Sequence, residues 1–553
     1  MLKISRFFQW ACAFVLLGSS AQASVYYISP NGDDSRSGLS VKEAWKTLDK
    51  VNQVTFQPGD KVLFESGRVW NGQLKPQGSG SADKPIVIGS YGGNARPVIN
   101  IAKAEGAGIR LTNQSGWEIT NMEITSGAPP EVGIGRQGIV AVVRGENQHI
   151  RHLVVRNSYI HDVWGQLGGR SEYAGLNSCA ILITARGSNT ILDDVLVENN
   201  RIERFDKVGI VVDGGKSGVV VRKNVMDNLG GDGIIVGGGS KAMIEYNVVK
   251  RSCLRSGYPD LPGDQNWWPH TAAIWIQHTT ETVMQFNEVY DTGRQLRNGD
   301  GEAYDFDFGC QRCLCQYNYS KHNHGLLLIM YQATDNVARY NISENDQTHL
   351  IQLQCNIGER NILNNNVFYV DYGTADLDFF YGDDGKKDKS QLGASLVNNI
   401  FYATGQGRFR TAYSSGLAWE RKFDETVILV KQPGTLFHHN VYFGPWKNGL
   451  PDDAEKLVVD PMFVAPGAGG EGLASLGGYR LRPGSPCINA GIPVAGNGVR
   501  DFYGNPVNDG SIDIGAYEQP VSRVRVGAQP ANAKQPRAHP RPAPVKGSAN
   551  SAK

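Results

Sequence analysis

An asparagine recurs at a nearly constant interval through the middle of the chain, and this spacing constrains the fold more than any other feature. Short β-prone runs such as "VENNRIE", "IEYNVVK" and "LVNNIFY" carry it. The marker asparagines are Asn200, Asn224, Asn247, Asn287, Asn318, Asn341, Asn366, Asn399 and Asn440. Successive spacings are 24, 23, 40, 31, 23, 25, 33 and 41 residues, so the base period is 23–25 residues. Periods of 20–50 residues are typical of solenoids, and short Val, Ile and Tyr strands with Gly and Asn at the corners indicate a β-solenoid.

The marker asparagines have a physical reason to stand at a corner. Asparagine tolerates left-handed backbone conformation, and its amide can hydrogen-bond to the same amide one coil away. We therefore expect these residues to be structural and to adopt that conformation. Stacked coils share a continuous apolar core and need caps at their ends. The segment "AWKTLDKVNQV", residues 44–54, has the strongest amphipathic helical pattern in the chain and is the predicted N-terminal cap.

The two ends of the chain differ in composition from the body. Residues 1–23 have the pattern of a secretory signal peptide, with two early cations, an apolar run and the small-residue stretch Ala21-Gln22-Ala23. Residues 521–553 contain seven basic residues, no acidic ones and many Pro and Ala, which predicts a disordered basic tail. Residues 24–520 are the predicted β-helix domain.

Charge and hydropathy exclude two classes of partner. The formal net charge of the chain is +1, and removing the cations of the leader and the tail leaves about −8 for residues 24–520. Such a body does not fit a nucleic-acid binder, which needs a basic face. No stretch after the leader approaches the roughly 20 apolar residues of a membrane-spanning helix. We expect an exported protein, periplasmic or extracellular, with no nucleic-acid partner and no membrane span.

Seven cysteines remain once the leader is set aside, an odd number that cannot all pair within one chain. Cys310, Cys313 and Cys315 form a C-x-x-C-x-C run, but zinc sites normally need a second ligand pair at suitable spacing. Buried free thiols are the prediction. A Cys310 to Cys355 bridge between neighbouring coils stays open for an oxidising compartment.

Two long spacings mark insertions between neighbouring coils. The interval from Asn247 to Asn287 holds about 16 extra residues, including "GYPDLPGDQNWWPH", and the next interval holds about seven, including "RQLRNGDGE". Loops on rigid scaffolds carry function, and neighbouring coils place their insertions side by side. The second insertion leads directly into "DGEAYDFDFGC", residues 300–310, where acidic residues cluster.

The acidic cluster consists of Asp300, Glu302, Asp305 and Asp307. On a strand, residues two apart face the same side at about 6.5–7 Å. Asp305 and Asp307 are therefore predicted to point outward together, with Tyr304, Phe306 and Phe308 on the apolar side. We expect Asp300 and Glu302 to fold over the same groove. Carboxylates this close raise one another's pKa unless a cation or basic neighbour relieves them.

At this point the sequence resembles a known group of proteins. "VYYISPNGDDSRSGLSVKEAWKTLDKVN" and "FQPGDKVLFESGRVWNGQL" resemble the N-terminal segment of secreted right-handed parallel β-helix carbohydrate-active proteins. "YRLRPGSPCINAG" and "GSIDIGAYE" resemble their closing segment, and "DGEAYDFDFGCQRCLCQYNYSKHNHG" is similar to a coil of β-helix glycoside hydrolases grouped with α-fucosidases and xylanases. The resemblance implies an all-β fold, a right-handed parallel β-helix with an N-terminal cap helix and a C-terminal closing segment.

The sequence departs from the pectin-hydrolysing β-helix family. That family is expected to carry Asn-x-Asp, Asp-Asp, Gly-His-Gly and Arg-x-Lys in order. Here Asp193-Asp194 is an isolated pair, and Asn323-His324-Gly325 stands where Gly-His-Gly would be. The catalytic residues of that family are therefore not transferred to this chain.

Three functions fit the acidic cluster. Glycoside hydrolysis needs one protonated and one ionised carboxyl group, and Asp305 and Asp307 lead as acid and base or nucleophile, with Asp300, Glu302 and His270 in support. This reaction requires no cofactor. The alternative is a polysaccharide lyase that uses Ca²⁺ held by Asp300 and Glu302. A non-catalytic glycan-binding or adhesion protein is the third class, although sugar binding alone does not need four acids.

The remaining candidates would contact substrate. Trp267 and Trp268 are either loop-core residues or a platform for a sugar ring. A second group of candidates either binds an acidic sugar or balances the acids, and it comprises Arg294, Arg297, Arg312 and Lys321. The histidines His278, His322 and His324 are predicted to be surface or hydrogen-bonded residues. The expected partner is a polysaccharide or oligosaccharide, and we expect a monomer.

Overall fold

The computed structural model describes most of the chain between the two terminal segments. The described residues are 22–102, 105–127, 135–164, 178–254, 271–293, 301–330, 332–347, 349–354, 360–371, 376–383, 394–404, 408–414, 435–446, 449–507 and 511–520. The predicted signal peptide therefore lies almost entirely, and the basic tail entirely, outside the described residues.

Three long sheets and one short pair of strands make up the described part of the chain. The first sheet contains Val25–Ile28, Lys61–Glu65, Ile86–Tyr91, Trp117–Thr120, His149–Arg156, Ile191–Glu198, Gly215–Arg222, Met243–Glu245, Val283–Gln285, Leu314–Gln316, Val337–Arg339, Asn361–Asn364, Ala394–Val397 and Thr435–His438. The second contains Val69–Asn71, Val98–Asn100, Glu123–Thr125, Tyr159–Val163, Arg201–Phe205, Val225–Leu229, Val248–Lys250, Glu288–Tyr290, Tyr319–Lys321, Ile342–Glu344, Val367–Val370, Ile400–Ala403 and Val441–Phe443. The third contains Gly106–Thr112, Arg136–Arg144, Cys179–Arg186, Val208–Asp213, Ile234–Gly237, Ile274–Gln277, Tyr304–Phe306, Leu327–Met330, Ile351–Gln354, Asp376–Asp383 and Arg408–Ser414. Thr55–Phe56 pairs with Gln77–Gly78.

Each coil contributes one strand to each sheet in turn, and each strand pairs in parallel with the equivalent strand of the next coil. The inward side chains of successive coils lie in register, as in the series Ile210, Ile234, Ile274, Tyr304 and Leu327. These side chains belong to one buried apolar cluster that runs along the inside of the coils. The predicted all-β parallel β-helix is confirmed. Within the described ranges, no helix has the length and apolarity needed to cross a membrane.

The marker asparagines form a continuous hydrogen-bonded ladder. From Asn200 to Asn440, each side-chain amide nitrogen donates to the amide oxygen of the next marker at 2.9–3.1 Å. Each of these nitrogens also donates to a backbone carbonyl, as Asn318 does to Met284 at 3.0 Å. The ladder ends on Asp453, whose carboxylate accepts both the backbone N–H and the side-chain amide of Asn440. The predicted amide stack is confirmed.

The prediction that the marker asparagines adopt the left-handed conformation is wrong, because the residue before each marker adopts it instead. The residue before each marker has a φ between 50° and 56°, and these residues are Asn199, Lys223, Tyr246, Phe286, Tyr317, Tyr340, Asn365, Asn398 and His439. We call them the corner residues. They turn the chain so that the following asparagine side chain points inward, where its amide is fully engaged. The aromatic members stack coil on coil, with Phe286 lying 4.9 Å from Tyr246 and 5.1 Å from Tyr317 between ring centroids.

The N-terminal helix is shorter than the sequence pattern predicted. It spans Leu48–Asn52, follows the 3₁₀ turn Val41–Glu43, and buries Leu48 and Val51. The carboxylate of Asp34 accepts the backbone N–H groups of Lys46 and Thr47 at 2.7 and 3.0 Å, which holds these residues extended. The helix therefore begins at Leu48, with the Thr47 hydroxyl accepting the N–H of Lys50 as an N-cap.

The C-terminal closing segment packs along the side of the solenoid. It includes the 3₁₀ helix Leu473–Tyr479 and the antiparallel bridges Phe463 to Leu481, Gly491 to Ile512 and Arg500 to Pro506. Its apolar residues form a second buried cluster with outward side chains of the second sheet. That cluster includes Tyr290, Tyr319, Ile342, Tyr369, Tyr402, Phe463, Leu476, Tyr479, Leu481 and Ile514.

The cysteines in the described ranges, six in number, are all buried free thiols, as predicted. The Cys310 thiol donates to the backbone oxygen of Ile276 at 3.1 Å, and the Cys313 thiol donates to that of Gln311 at 3.4 Å. Cys355, the proposed bridging partner of Cys310, lies outside the described residues.

Candidate functional site

The candidate site lies on the outward face of the third sheet. Its central outward positions are in register from coil to coil and form a row made up of Val140, Leu182, Val211, Ile235, Trp275, Asp305, Leu328 and Gln352. We call this set the outward row. Its first four members belong to a buried apolar cluster separate from the inner core, which shows that the row faces away from that core. The row changes from apolar to acidic at Asp305.

Asp305 faces outward between Trp275 on one neighbouring strand and Leu328 on the other. Its strand neighbours Tyr304 and Phe306 are both fully buried in the inner core, as the alternation predicted. Asp305 is only 5% exposed and Asp307 only 8% exposed. Both carboxyl groups are therefore largely shielded from solvent.

The strand ends earlier than the sequence pattern indicated. It stops at Phe306, so Asp307 and Phe308 enter a turn, although Asp307 still donates its backbone N–H to Ile276 at 3.0 Å. The prediction that Phe308 packs in the core with the other two aromatics is wrong. Its ring stacks instead on His278, with 5.9 Å between centroids.

Trp275 is a site residue that the sequence analysis did not identify. Its indole is next to Asp305 in the outward row, and its Nε1 donates to Oδ1 of Asp232 at 2.8 Å. The same Asp232 oxygen accepts the backbone N–H of Ala272 at 3.1 Å, which fixes the carboxylate. Trp275 lies in "AAIWIQH", which has the pattern of an ordinary buried strand. Asp232 lies in "GGDGII", whose glycines indicate tight corners of the coil and not a functional site.

Glu302 is fully buried and lies two residues before the acidic strand Tyr304–Phe306. Its backbone oxygen accepts the N–H of Ala273 at 2.9 Å, so the residue belongs to the coil body and is not folded over the groove as predicted. A side chain at Gly325 would lie 3.2 Å from Cγ of Glu302 and 1.8 Å from the His349 oxygen. Glycine is therefore required at position 325, because the Glu302 side chain and the next coil occupy that space.

Two buried histidines lie beside Glu302. His324 is 3% exposed and His349 fully buried, and their rings meet edge to face with 5.2 Å between centroids. His324 was predicted to be a surface or hydrogen-bonded residue, and its surface placement is wrong. His349 was not identified from sequence. The remaining two histidines behave as expected, because His278 is exposed and His322 lies 3.4 Å from Asp291.

The acidic pair influences a thiol beneath the strand. Burial, the neighbouring Cys313 and then the charges of Asp305 and Asp307 raise the pKa of the Cys310 thiol well above its usual value. Burial and the charge of Asp232 raise the pKa of Cys253 to about 12, with Glu302 making a smaller contribution. These thiols stay protonated at neutral pH and serve as packing groups.

Several predicted site residues lie outside the described residues. They are Asp300, Trp267, Trp268, His270, Arg294 and Arg297. Their roles stay predictions. Of the predicted acidic cluster, the structure describes Glu302 in the coil body, Asp305 in the outward row and Asp307 directly after the strand.

Two predicted substrate-binding cations lie away from the outward row. Arg312 stands at an exposed corner and pairs with Glu281 at 3.5 Å. Lys321 lies in the second sheet, where its ammonium donates to Glu344 at 2.7 Å and to the backbone oxygen of Gly469 at 2.6 Å. Both cations are engaged by neighbours at these positions, so the structure does not bring them to the acidic pair.

The arrangement supports carboxyl chemistry. Asp305 and Asp307 are two residues apart in the chain, and glycoside hydrolases use two carboxyl groups about 5–9.5 Å apart. An indole next to one of them offers a flat apolar surface for a sugar ring. Carboxylate oxygens are also the hard ligands that Ca²⁺ prefers, and the ligand role of Asp300 and Glu302 in a lyase stays a prediction.

Comparisons with known proteins agree with this architecture. A family model described as "Right handed beta helix region" matches residues 99–289, which confirms the predicted handedness. A lacto-N-biosidase from Bifidobacterium longum subsp. longum is 27% identical over 622 aligned positions, covering 92% of this chain. The chain spans 37% of the length of that relative.

Two solved structures share the fold. Crystal structures of a GH136 lacto-N-biosidase from Eubacterium ramulus, as the selenomethionine derivative and as the native protein, align with TM-scores of 0.52 and 0.51. Both are 21% identical to this chain and cover 70% of it and 68% of the matched chain.

Proposed function

We propose that this chain is an exported carbohydrate-active enzyme that hydrolyses a glycosidic bond of an oligosaccharide or polysaccharide. The observation that carries the proposal is the pairing of Asp305 with Trp275 in the outward row, with Asp307 two residues further along the chain. One carboxyl group protonates the leaving oxygen, and the other activates water or attacks the sugar. Glu302 supports them from the buried side, and Asp300 and His270 complete the proposed set.

The likeness to lacto-N-biosidase supports a narrower proposal. The curated relative and the solved homologues carry that activity in their names. We propose a hydrolase of lacto-N-biosidase type, which requires no metal in its chemical step. The leader, residues 1–23, supports export to the periplasm or the medium.

The test is a substrate panel given to the purified mature protein. The panel contains p-nitrophenyl lacto-N-bioside, neutral polysaccharides and uronate-containing polysaccharides, each with and without EDTA. Reducing ends and the ultraviolet absorbance of unsaturated uronate are followed together. We expect reducing ends without absorbance, unaffected by EDTA. Absorbance that EDTA abolishes would replace the hydrolase with a calcium lyase, and glycan binding without any cleavage would leave only an adhesion role.

The residues are tested by Asp305→Asn and Asp307→Asn. Loss of a positioned acid or base lowers kcat by about 10²–10⁴-fold, and we expect this loss with an unchanged melting temperature. Asp300→Asn and Glu302→Gln complete the series. Asp227→Asn is the matched control, because Asp227 pairs with Arg251 on the surface of the second sheet. Full activity in both leading variants would remove the pair from the mechanism.

A further inference from the structure

The last corner of the asparagine ladder carries a cluster of metal-binding residue types. His438 ends the last described strand of the first sheet, His439 is the corner residue that follows, and Glu455 lies in the next loop. One ligand atom from each lies within 4.8 Å of the other two. Nδ1 of His438 is 3.8 Å from Oε2 of Glu455.

The left-handed conformation of His439 explains how two consecutive histidines share one site. In an extended strand, neighbouring side chains point to opposite faces. His439 has a φ of 53°, which breaks that alternation and brings its ring to the side of His438. Asp453 fixes the turn, because its buried carboxylate accepts the backbone N–H of His439 at 3.1 Å and that of Asn440 at 3.1 Å.

The four corner residues before His439 form side-chain hydrogen bonds with the closing segment. Tyr317 donates to the backbone oxygen of Arg500 at 2.8 Å, and Asn365 donates to that of Asp513 at 2.9 Å. Tyr340 accepts from Asn497 at 2.8 Å, and Asn398 donates to Ile492 at 2.8 Å.

His439 differs from these four in its hydrogen bonding. Its Nδ1 is buried and makes no hydrogen bond to any described residue. A buried ring nitrogen without a partner is costly unless a ligand engages it. The nitrogen is therefore a second, independent sign of a ligand at this corner.

We propose that His438, His439 and Glu455 bind a divalent cation of the zinc class. Imidazole nitrogen and carboxylate oxygen suit Zn²⁺ and its neighbours in the first transition row, and three protein ligands leave one position for water. Bonds of about 2.0–2.2 Å place tetrahedral ligand atoms about 3.5 Å apart. The cluster reaches this separation by rotation of its side chains, two of which are partly exposed.

The ion would serve as a clamp at the end of the solenoid. It would join the strand Thr435–His438 to the loop that carries Glu455, and so hold that loop over an edge strand of the described first sheet. Unpaired sheet edges invite association with other chains, and solenoids cover them with caps. The site is remote in sequence from the acidic pair and independent of the proposed hydrolase activity.

The test is titration of the mature protein with Zn²⁺. The protein is prepared without a polyhistidine tag, stripped with EDTA and desalted. We expect calorimetry to give one ion per chain, Co²⁺ to give the visible absorption of a tetrahedral site, and Zn²⁺ to raise the melting temperature.

Three variants remove one ligand each, and the two histidine variants use residues already found at equivalent positions. His438→Gln introduces the residue found at Gln285 and Gln316 in the same row of the first sheet. His439→Asn introduces the residue found at the corner positions Asn365 and Asn398. Glu455→Gln changes an exposed loop residue and is not expected to affect folding. We expect each to weaken Zn²⁺ binding at least tenfold and to abolish the Co²⁺ spectrum.

The control is His149→Gln, which removes another partly exposed histidine that faces an acid, Asp193, at 3.2 Å. We expect this variant to bind Zn²⁺ as the wild type does. Equal binding by the wild type and all three ligand variants, or loss only in the control, would overturn the site.

Discussion

Ion pairs illustrate how single residues connect neighbouring coils. Arg204 donates from Nε and Nη2 to the two carboxylate oxygens of Asp162 at 2.6 and 2.7 Å, one coil away. The Arg204 hydrogen bonds, aided by His161, lower the pKa of Asp162 to about 2. Such a bidentate pair resists screening better than most surface pairs.

The lowered pKa of Asp162 predicts a pH-dependent contribution to stability. A carboxyl group whose pKa is lower in the folded state stabilises the fold above its unfolded pKa, and this stabilisation disappears as the pH falls through the folded pKa. At pH 5, Asp162→Asn should lower the free energy of unfolding by about 1 kcal/mol after allowance for solvent screening. The difference should shrink between pH 4 and pH 2.

Urea denaturation across this pH range measures the effect. Asp49→Asn, at an exposed helix position, is the control. A difference between wild type and Asp162→Asn that stays constant from pH 5 to pH 2 would show that the ion pair is not the source of the stabilisation.

Part of the candidate site could be predicted from the types of residue in the sequence. The carboxylates of Asp305 and Glu302 could be found from sequence because acids are rare in apolar strands. Trp275 and Asp232 could not, because an aromatic residue in a β-prone run and an acid among glycines have ordinary structural explanations. Only the register between coils shows that Trp275 lies beside Asp305. The predicted substrate-binding roles of Arg312 and Lys321 depended on their distance from the acidic pair in the folded chain, and closeness in sequence does not give that distance.

At the level of one element, the asparagine ladder determines where every coil turns. Asn318 is fully buried and makes five hydrogen bonds through its side chain. Its amide oxygen accepts two hydrogen bonds from Asn287, and its amide nitrogen donates to the Met284 carbonyl, the amide oxygen of Asn341 and Sγ of Cys315. No single hydrogen bond of this kind is strong, but each buried group left without a partner is costly.

Asn318→Ala should therefore lower the free energy of unfolding by about 1–3 kcal/mol. Chemical denaturation of the purified protein measures it. Asn94→Ala, at an exposed turn, should change the midpoint little. An unchanged midpoint for Asn318→Ala would contradict a stabilising role for the ladder.

The period and the amide stack could be predicted because both follow from the spacing of one residue type. The left-handed corner could not, because the corner residues share no side-chain chemistry: Lys223, Tyr246 and His439 all adopt it. Packing between coils imposes that conformation, and it overrides the local preference of each residue. The short N-terminal helix has a similar cause, since Asp34 fixes residues that an isolated helix would have used.

At the level of the whole molecule, one buried carboxylate joins the solenoid to the closing segment. Glu344 is fully buried and accepts from the hydroxyl of Tyr479 at 2.7 Å and from the ammonium of Lys321 at 2.7 Å. It also accepts the backbone N–H of Gly469 at 3.2 Å. The tyrosine and the glycine belong to the closing segment, so this contact links parts of the chain more than 120 residues apart in sequence.

Glu344→Ala should lower the free energy of unfolding by about 3–5 kcal/mol, because it leaves the ammonium of Lys321 without its buried partner. Limited proteolysis should also cut within residues 449–481 sooner. The control is Glu471→Ala, which removes an exposed acid of the closing segment that pairs with Lys250 of the second sheet and should cost about 0–1 kcal/mol. Equal effects of the two substitutions would show that Glu344 does not anchor the segment.

The ladder bonds have nearly the same length whether 23 or 41 residues separate their donors and acceptors. The position of each marker asparagine is therefore set by the coil to which it belongs and not by the number of residues between markers. A loop can lengthen, shorten or be exchanged between two markers while the strands above and below it stay in place. This gives the protein a modular design in which new recognition loops can be grafted beside the acidic strand, in evolution or in the laboratory, without rebuilding the frame that holds them.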